Sequence, residues 1–162
     1  MKSLYVVFNY FDPTNLDNFY FHKACISKKE AMAEVQEQAK WRVLNHEGLS
    51  NVLVCYLIDP SNYDLTVDDF IDAAEDKYSS GQDLHWDHQE VVYALSSITS
   101  DRTLQPIYSL DIPSIEADFY ASFMESKGLY VDEDDFYNLL DDTEFNKFVD
   151  DKVTTDVVKA FS

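Results

Sequence analysis

The 162-residue sequence predicts an α+β fold: a small, mostly antiparallel sheet with one covering helix, followed by a mostly helical acidic half. The first third holds strand-like runs of β-branched and aromatic residues. The rest shows apolar residues at helical spacing. The composition is 46% hydrophobic and 15% aromatic, which is enough for one buried core. We therefore expect a single domain spanning residues 1–162, with a neutral part (1–58) and an acidic part (59–162).

The neutral part should contain three strands. Leu4–Phe11 and Phe19–Ile26 are rich in Val, Tyr and Phe, and residues 12–15 between them carry turn chemistry. We expect these two strands to pair in an antiparallel manner. Asn51–Ile58 is nearly all apolar, so it predicts a central strand covered on both faces.

A capping box opens the helix between the second and third strands. Ser27 is followed three residues later by Glu30, and the helix should end near Gly48. Trp41 lies away from the apolar stripe, where an exposed tryptophan would be an interface anchor. The alternative is that Trp41 packs on the acidic half. The predicted stripe consists of Met32, Val35, Ala39 and Val43.

The acidic part should be mainly helical. Thr66 caps an amphipathic helix that runs through Tyr78 and ends before Gly81. Glu90–Ile98 favours a strand. Pro106 and Pro113 indicate an extended connection. Further helices are expected over residues 114–127, from Asp132 onward, and from Thr143 through Phe161.

Charge divides the chain sharply. Residues 1–58 hold six basic and six acidic side chains, whereas residues 59–162 hold six basic and 25 acidic ones, so the whole net charge of −19 lies in the second part. Such a surface repels nucleic acid and anionic lipid, so direct binding to either is not expected. The three glycines leave no phosphate-binding loop, and no Gly-x-Ser-x-Gly nucleophile elbow is present. We expect no enzyme activity and no cofactor.

One histidine-containing segment has ligand-type side chains. His85 and His88 have a spacing that zinc sites use, but the sequence specifies no further ligands. We therefore interpret the segment as a polar loop and expect no metal. The acidic and histidine side chains of this segment are Asp83, His85, Asp87, His88 and Glu90.

The two cysteines and the hydropathy pattern indicate a compartment. Cys25 and Cys55 lie within apolar segments, as buried reduced thiols of a cytoplasmic protein do. No apolar run approaches the ~18 residues of a membrane span. The N-terminal run predicts a strand rather than a signal peptide.

A row of carboxylates is the main candidate binding feature. Asp68, Asp72 and Asp76 recur at i, i+4 and i+8 on the solvent side of the predicted helix, ~6 Å apart along its axis. Such a row is either a solvated face that confers solubility or a negative surface that docks on a basic protein. Residues that would extend a similar surface at the other end of the acidic part are Asp141, Asp142, Glu144, Asp150 and Asp151.

Small, acidic, aromatic-rich chains of this kind resemble the early host-takeover proteins of bacteriophages. The rows of acids in DNA-mimic antirestriction inhibitors are similar to the one formed by Asp68, Asp72 and Asp76. In overall size and in lacking enzyme motifs, the whole chain looks most like the phage T4-type inhibitor of the ATP-dependent Lon protease. No residue motif matches, so no functional residue carries over. The resemblance implies inhibition of a host enzyme in the cytoplasm by protein–protein contact. One alternative is DNA mimicry, which the neutral residues 1–58 disfavour. Another is an adaptor or assembly protein whose acidic face confers solubility.

Overall fold

The computed structural model describes residues 3–11, 18–44, 52–76, 84, 86–111, 121, 125 and 142–162. These residues form four antiparallel strands and four α-helices, so the predicted α+β class is confirmed. A 3₁₀ turn at Pro60–Tyr63 follows the third strand. The strands are β1 (Leu4–Tyr10), β2 (Phe19–Cys25), β3 (Val52–Ile58) and β4 (Tyr108–Asp111). The helices are α1 (Lys28–Leu44), α2 (Val67–Glu75), α3 (Gln89–Ser100) and α4 (Asp142–Ala160).

The sheet has the strand order β2-β1-β3-β4 and is buried on both faces. Alternate residues of β3 point into different cores: Leu53 into one and Val54 into the other. The core around Leu53 is closed by α1 and α4, and the core around Val54 by α2 and α3. The prediction of a central third strand covered on both faces is therefore confirmed.

Both parts of the chain contribute to these layers. The neutral part supplies three strands and α1, and the acidic part supplies β4, α2, α3 and α4. α4 packs on α1, and an ion pair joins Lys40 to Asp150 between them. The sheet is thus covered by helices of the acidic part as well as by the one predicted covering helix.

The helix α3 corrects the sequence prediction. Glu90–Ile98 was expected to be a strand, but it lies within a 12-residue α-helix. The β-branched residues Val91, Val92 and Ile98 fall with Leu95 on one buried helical face. Packing of this face against the sheet overrides the strand propensity.

The strand β4 forms within the predicted extended connection. Ile107 donates its backbone N–H to the carbonyl of Cys55 at 2.8 Å, and pairing with β3 continues to Asp111. Pro106 lies just before the paired segment, where it removes no ladder hydrogen bond. A strand of only four residues gives too short a sequence pattern for its pairing with β3 to be predicted.

The predicted helix limits are partly confirmed. At the start of α1, Glu30 donates its backbone N–H to Ser27 Oγ at 3.2 Å. Ala31, Val35, Ala39 and Val43 are its buried residues, while Met32 packs beside them half-buried. The last predicted helix is confirmed by α4. The predicted helices over 114–127 and from Asp132 fall almost wholly outside the described residues.

Candidate functional site: an acidic cleft between α2 and α3

The first turn of α2 is held by a reciprocal capping box. Thr66 donates its backbone N–H to Asp69 Oδ2 at 2.8 Å, and Asp69 donates its own N–H to Thr66 Oγ1 at 3.2 Å. Phe70 and Ala73 are buried in the core beneath the helix, so the opposite side of α2 meets solvent. Asp68 and Asp72 lie on that side and are exposed.

The predicted carboxylate row is shorter than expected. Asp76 caps α2 in an extended conformation (φ −60°, ψ 138°), so the helix ends at Glu75 and the prediction that it reaches Tyr78 is wrong. The Asp76 carboxylate instead contacts His88 Nε2 at 3.1 Å. Asp68 and Asp72 therefore remain as the helical part of the row, and Asp76 ties the end of α2 to the start of α3.

A cleft of about 400 Å³ lies between the first turns of α2 and the start of α3. Trp86 is 84% exposed at this cleft, the most exposed large apolar side chain among the described residues. Leu65 and Val91 supply its apolar lining. The carboxylates lining it are Asp69, Asp72, Asp87 and Glu90. We call this site the acidic cleft.

A neighbouring hollow extends the negative surface. It has a volume of about 490 Å³, shares Leu65 with the acidic cleft, and is lined by Asp59 and Asp68. Hydrogen bonds from the side chain and the backbone of Ser61 lower the pKa of Asp59, so this carboxylate is ionised at neutral pH. The two hollows therefore form one acidic surface around the first turns of α2.

This arrangement is suited to a cationic partner. Four carboxylates around a cleft attract Lys and Arg side chains and accelerate their approach. The face of an exposed indole binds the same cations by cation–π attraction. Trp86 and its acidic neighbours thus offer complementary contacts to a basic protein surface.

The other predicted site residues lie elsewhere. Asp141 falls outside the described residues. Asp142 and Glu144 belong to the first turn of α4, and their side chains are also outside the description. Trp41 lies on α1, the helix that covers the other core, and its side chain is 54% exposed. This exposure agrees with the interpretation of Trp41 as an exposed side chain, and its role as an interface anchor stays a prediction.

The described part of the chain contains no candidate metal site. Within it, no three His, Cys, Asp or Glu side chains are grouped so as to hold an ion. Asp83 and His85 lie outside the described residues. His88 contacts Asp76, as described above.

The two cysteines are buried free thiols, as predicted. They lie on strands either side of β1, where Cys25 faces Tyr5 and Cys55 faces Val7. Two strand spacings of ~4.8 Å separate them by more than the ~7 Å that a disulfide allows. Burial raises the pKa of Cys25 to about 11 and that of Cys55 to about 12, so neither is a reactive thiolate at neutral pH.

A polar network on the α1 side was not foreseen from the sequence. Asn9 is 2% exposed, and its Oδ1 lies 2.8 Å from Arg42 Nη2 and 2.7 Å from His22 Nε2. The β1–β2 register skips His22, so this residue forms a β-bulge and its side chain lies on the same face as Asn9. A bulge of one residue has no sequence signature here, which is why the network was missed.

The network determines the protonation of His22. A carbonyl oxygen only accepts, so Asn9 Oδ1 takes a hydrogen bond from Arg42 Nη2, and His22 Nε2 lies within hydrogen-bond distance of both groups, 2.7 Å from Asn9 Oδ1 and 3.0 Å from Arg42 Nη2. Burial first, and the Arg42 charge second, lower the pKa of His22 to about 3. The imidazole is therefore neutral at pH 7.

We expect His22→Gln to flatten the loss of stability in acid. Below its unfolded pKa of ~6.5, His22 is protonated in the unfolded chain but not in the folded one. Stability therefore falls as the pH drops from ~6.5 toward the folded value, by at most ~1.4 kcal/mol per pH unit from this group. Glutamine can donate to Asn9 but does not titrate. Urea unfolding at pH 7.0 and 4.5 measures the free energy of unfolding of the variant and of the original protein. Equal losses of stability in the two proteins would show that His22 is protonated in the folded state at pH 4.5, contrary to this expectation.

No family model, no curated protein and no solved structure matches this chain. None of the helices in the described ranges has the length and apolar character needed to cross a membrane.

Proposed function

We propose that this protein is an acidic inhibitor that binds and blocks a host enzyme by protein–protein contact. The observation that carries the proposal is the acidic cleft, where an exposed tryptophan stands among four carboxylates. Tryptophan is enriched among residues that dominate binding energy, and carboxylates around it select a basic partner. The net charge of −19 guides approach to such a partner from a distance.

The target we propose is the ATP-dependent Lon protease, in the host-cell cytoplasm. Resemblance in size and character to the phage inhibitor of this protease supports the choice, and reduced buried thiols suit that compartment. The test is degradation of a protein substrate by purified Lon with ATP. The expected result is that stoichiometric inhibitor stops degradation and stays intact. Normal degradation together with no detectable complex would exclude this target.

Removing charge from the acidic surface around the first turns of α2 should slow association with the target. Asp68→Asn with Asp72→Asn deletes two exposed carboxylates, and steering charges mainly alter the association rate and its salt dependence. We expect a reduced association rate, a weaker salt dependence and an unchanged dissociation rate. Surface plasmon resonance at several salt concentrations measures all three.

The matched control removes the same charge from the opposite side of the sheet. Asp151 and Asp156 are exposed on α4. Replacing both with Asn makes the net charge less negative by the same amount as the Asp68 and Asp72 substitutions do. If the two double variants associate equally fast, the effect belongs to total charge and not to the cleft. If neither differs from the original protein, the carboxylates serve solubility.

DNA mimicry is the second candidate. It is favoured by the exposed pair Asp68 and Asp72, one helical turn apart at a distance close to that between phosphates. The engagement of Asp76 by His88 shortens this row. A DNA mimic would compete with duplex DNA for its target, whereas an inhibitor acting outside a DNA site would bind equally well in its presence.

A further inference from the structure

Another pocket lies on the α1 side of the sheet, away from the acidic cleft. It has a volume of about 360 Å³ and lies between β2 and α1. Helical spacing brings Glu37 beside Trp41 and Gln38 beside Arg42, because each pair is four residues apart. Tyr20 and the bulged His22 close it from β2. We call this site the arginine pocket.

The arginine pocket holds a guanidinium that the network places there. Arg42 bonds Asn9 Oδ1, which fixes the guanidinium between α1 and the sheet. Burial lowers the pKa of Arg42, yet a guanidinium remains charged at all physiological pH values. His22, at 3.0 Å from Arg42 Nη2, is neutral. A partly desolvated cation in a pocket attracts an anion more strongly than one in open water.

Two aromatic side chains flank this cation. Tyr20 is 42% and Trp41 54% exposed. The Tyr20 ring lies 4.9 Å from the His22 ring, and the Arg42 guanidinium carbon lies 5.8 Å from the Trp41 ring centroid. Exposed aromatic faces beside an arginine provide a stacking surface for a planar group next to an anion.

The type of anion follows from the charge count. One guanidinium lines the pocket together with the carboxylate-bearing Glu37, and the lining lies in the second half of α1, far from its N-terminus at Lys28. A phosphate dianion typically uses several cations or the amides of a helix start. A carboxylate carries one charge, which a single guanidinium can balance with a charge-assisted hydrogen bond. The volume is in the lower range of small-molecule sites, ~300–1,000 Å³.

We propose that the arginine pocket binds an aromatic carboxylate, with the carboxylate on Arg42 and the ring against Tyr20 and Trp41. This chemistry is shared by free aromatic acids and by peptides that end in an aromatic residue. The acidic cleft takes no part in it.

The test is a titration of the full chain, followed by NMR of the Trp41 indole N–H. The probes are 3-phenylpropionate and its uncharged amide, 3-phenylpropionamide. Trp86→Phe leaves Trp41 as the one tryptophan signal. We expect saturable shifts with the acid and binding of the amide weaker by about tenfold or more, since a charge-assisted hydrogen bond is lost. Equal binding of acid and amide, or no saturation at millimolar acid, overturns the proposal.

Two variants locate the binding. Arg42→Gln should abolish it, but Arg42 also belongs to the network with Asn9. Glu37→Gln leaves that network intact and removes a repelling charge, so it should tighten binding about two- to fivefold. Glu30→Gln on the same helix, outside the pocket, should change nothing. Equal effects of the Glu37 and Glu30 variants would overturn the placement.

The source of the carboxylate is decided by a further pair of probes. A tetrapeptide ending in phenylalanine is compared with the same peptide carrying a C-terminal amide. Tighter binding of the peptide acid than of 3-phenylpropionate assigns the pocket to a protein C-terminus. Exclusion of the peptide, with 3-phenylpropionate still bound, assigns it to a free acid.

Discussion

Trp86→Ala is expected to weaken binding to the target about 30-fold or more, through faster dissociation. Trp86 is 84% exposed in the acidic cleft, so a partner that covers it would bury most of the indole. A tryptophan anchor at the centre of an interface costs ~2 kcal/mol or more when truncated, and such losses act on the dissociation rate. Stability should stay within ~0.5 kcal/mol, because the side chain is exposed in the free protein. Biosensor kinetics against the proposed protease and urea unfolding measure the two quantities.

Trp41→Ala is the matched control. It removes the other tryptophan, 54% exposed on the opposite side of the sheet. We expect it to leave target binding unchanged. If Trp41→Ala weakens binding and Trp86→Ala does not, the interface lies on α1 and the acidic cleft is a solvated surface.

Phe70→Ala is expected to reduce the free energy of unfolding by about 3–5 kcal/mol. Phe70 is fully buried and packs α2 into the core that α3 shares. Removing the ring leaves a cavity under the helix that carries the cleft carboxylates Asp69 and Asp72, so their positions should also become less well defined. Since domains are stable by only ~5–15 kcal/mol, urea unfolding should show a markedly lower midpoint.

Phe11→Ala provides the comparison for this core substitution. Phe11 is 47% exposed at the end of β1, and its backbone N–H bonds Asn18 regardless of the side chain. The expected change is within ~0.5 kcal/mol. A similar loss from both substitutions would mean that Phe70 contributes little more than an exposed ring, contrary to its burial.

The parts of the fold predicted from sequence are those that depend on local patterns. The paired first strands, the central β3 and the capped starts of α1 and α2 follow from strand composition and capping residues. The prediction of a strand over Glu90–Ile98 was wrong, because its β-branched residues favour a strand when taken alone. Its helical spacing becomes decisive only against the core formed by Val54 and Phe70.

The candidate site shows the same division. Sequence spacing was sufficient to place Asp68 and Asp72 on the outer face of one helix, and charge counting to place the entire net charge after residue 58. It could not show that Asp76 leaves the helix to contact His88, because that contact joins residues 12 positions apart. It also could not bring Trp86 to the carboxylates of α2, since their proximity depends on how α3 packs.

By itself, the sequence determined the α+β class, the acidic half, the reduced buried thiols and the exposed face of α2, because each depends on composition or on neighbours within about one helical turn. The tertiary structure decided which helices cover which face of the sheet, where the acidic cleft opens, and how the bulge at His22 brings Asn9 and Arg42 together. These features depend on contacts between residues distant in the chain. Such contacts form only when buried side chains from several elements fill one core at close-packed density.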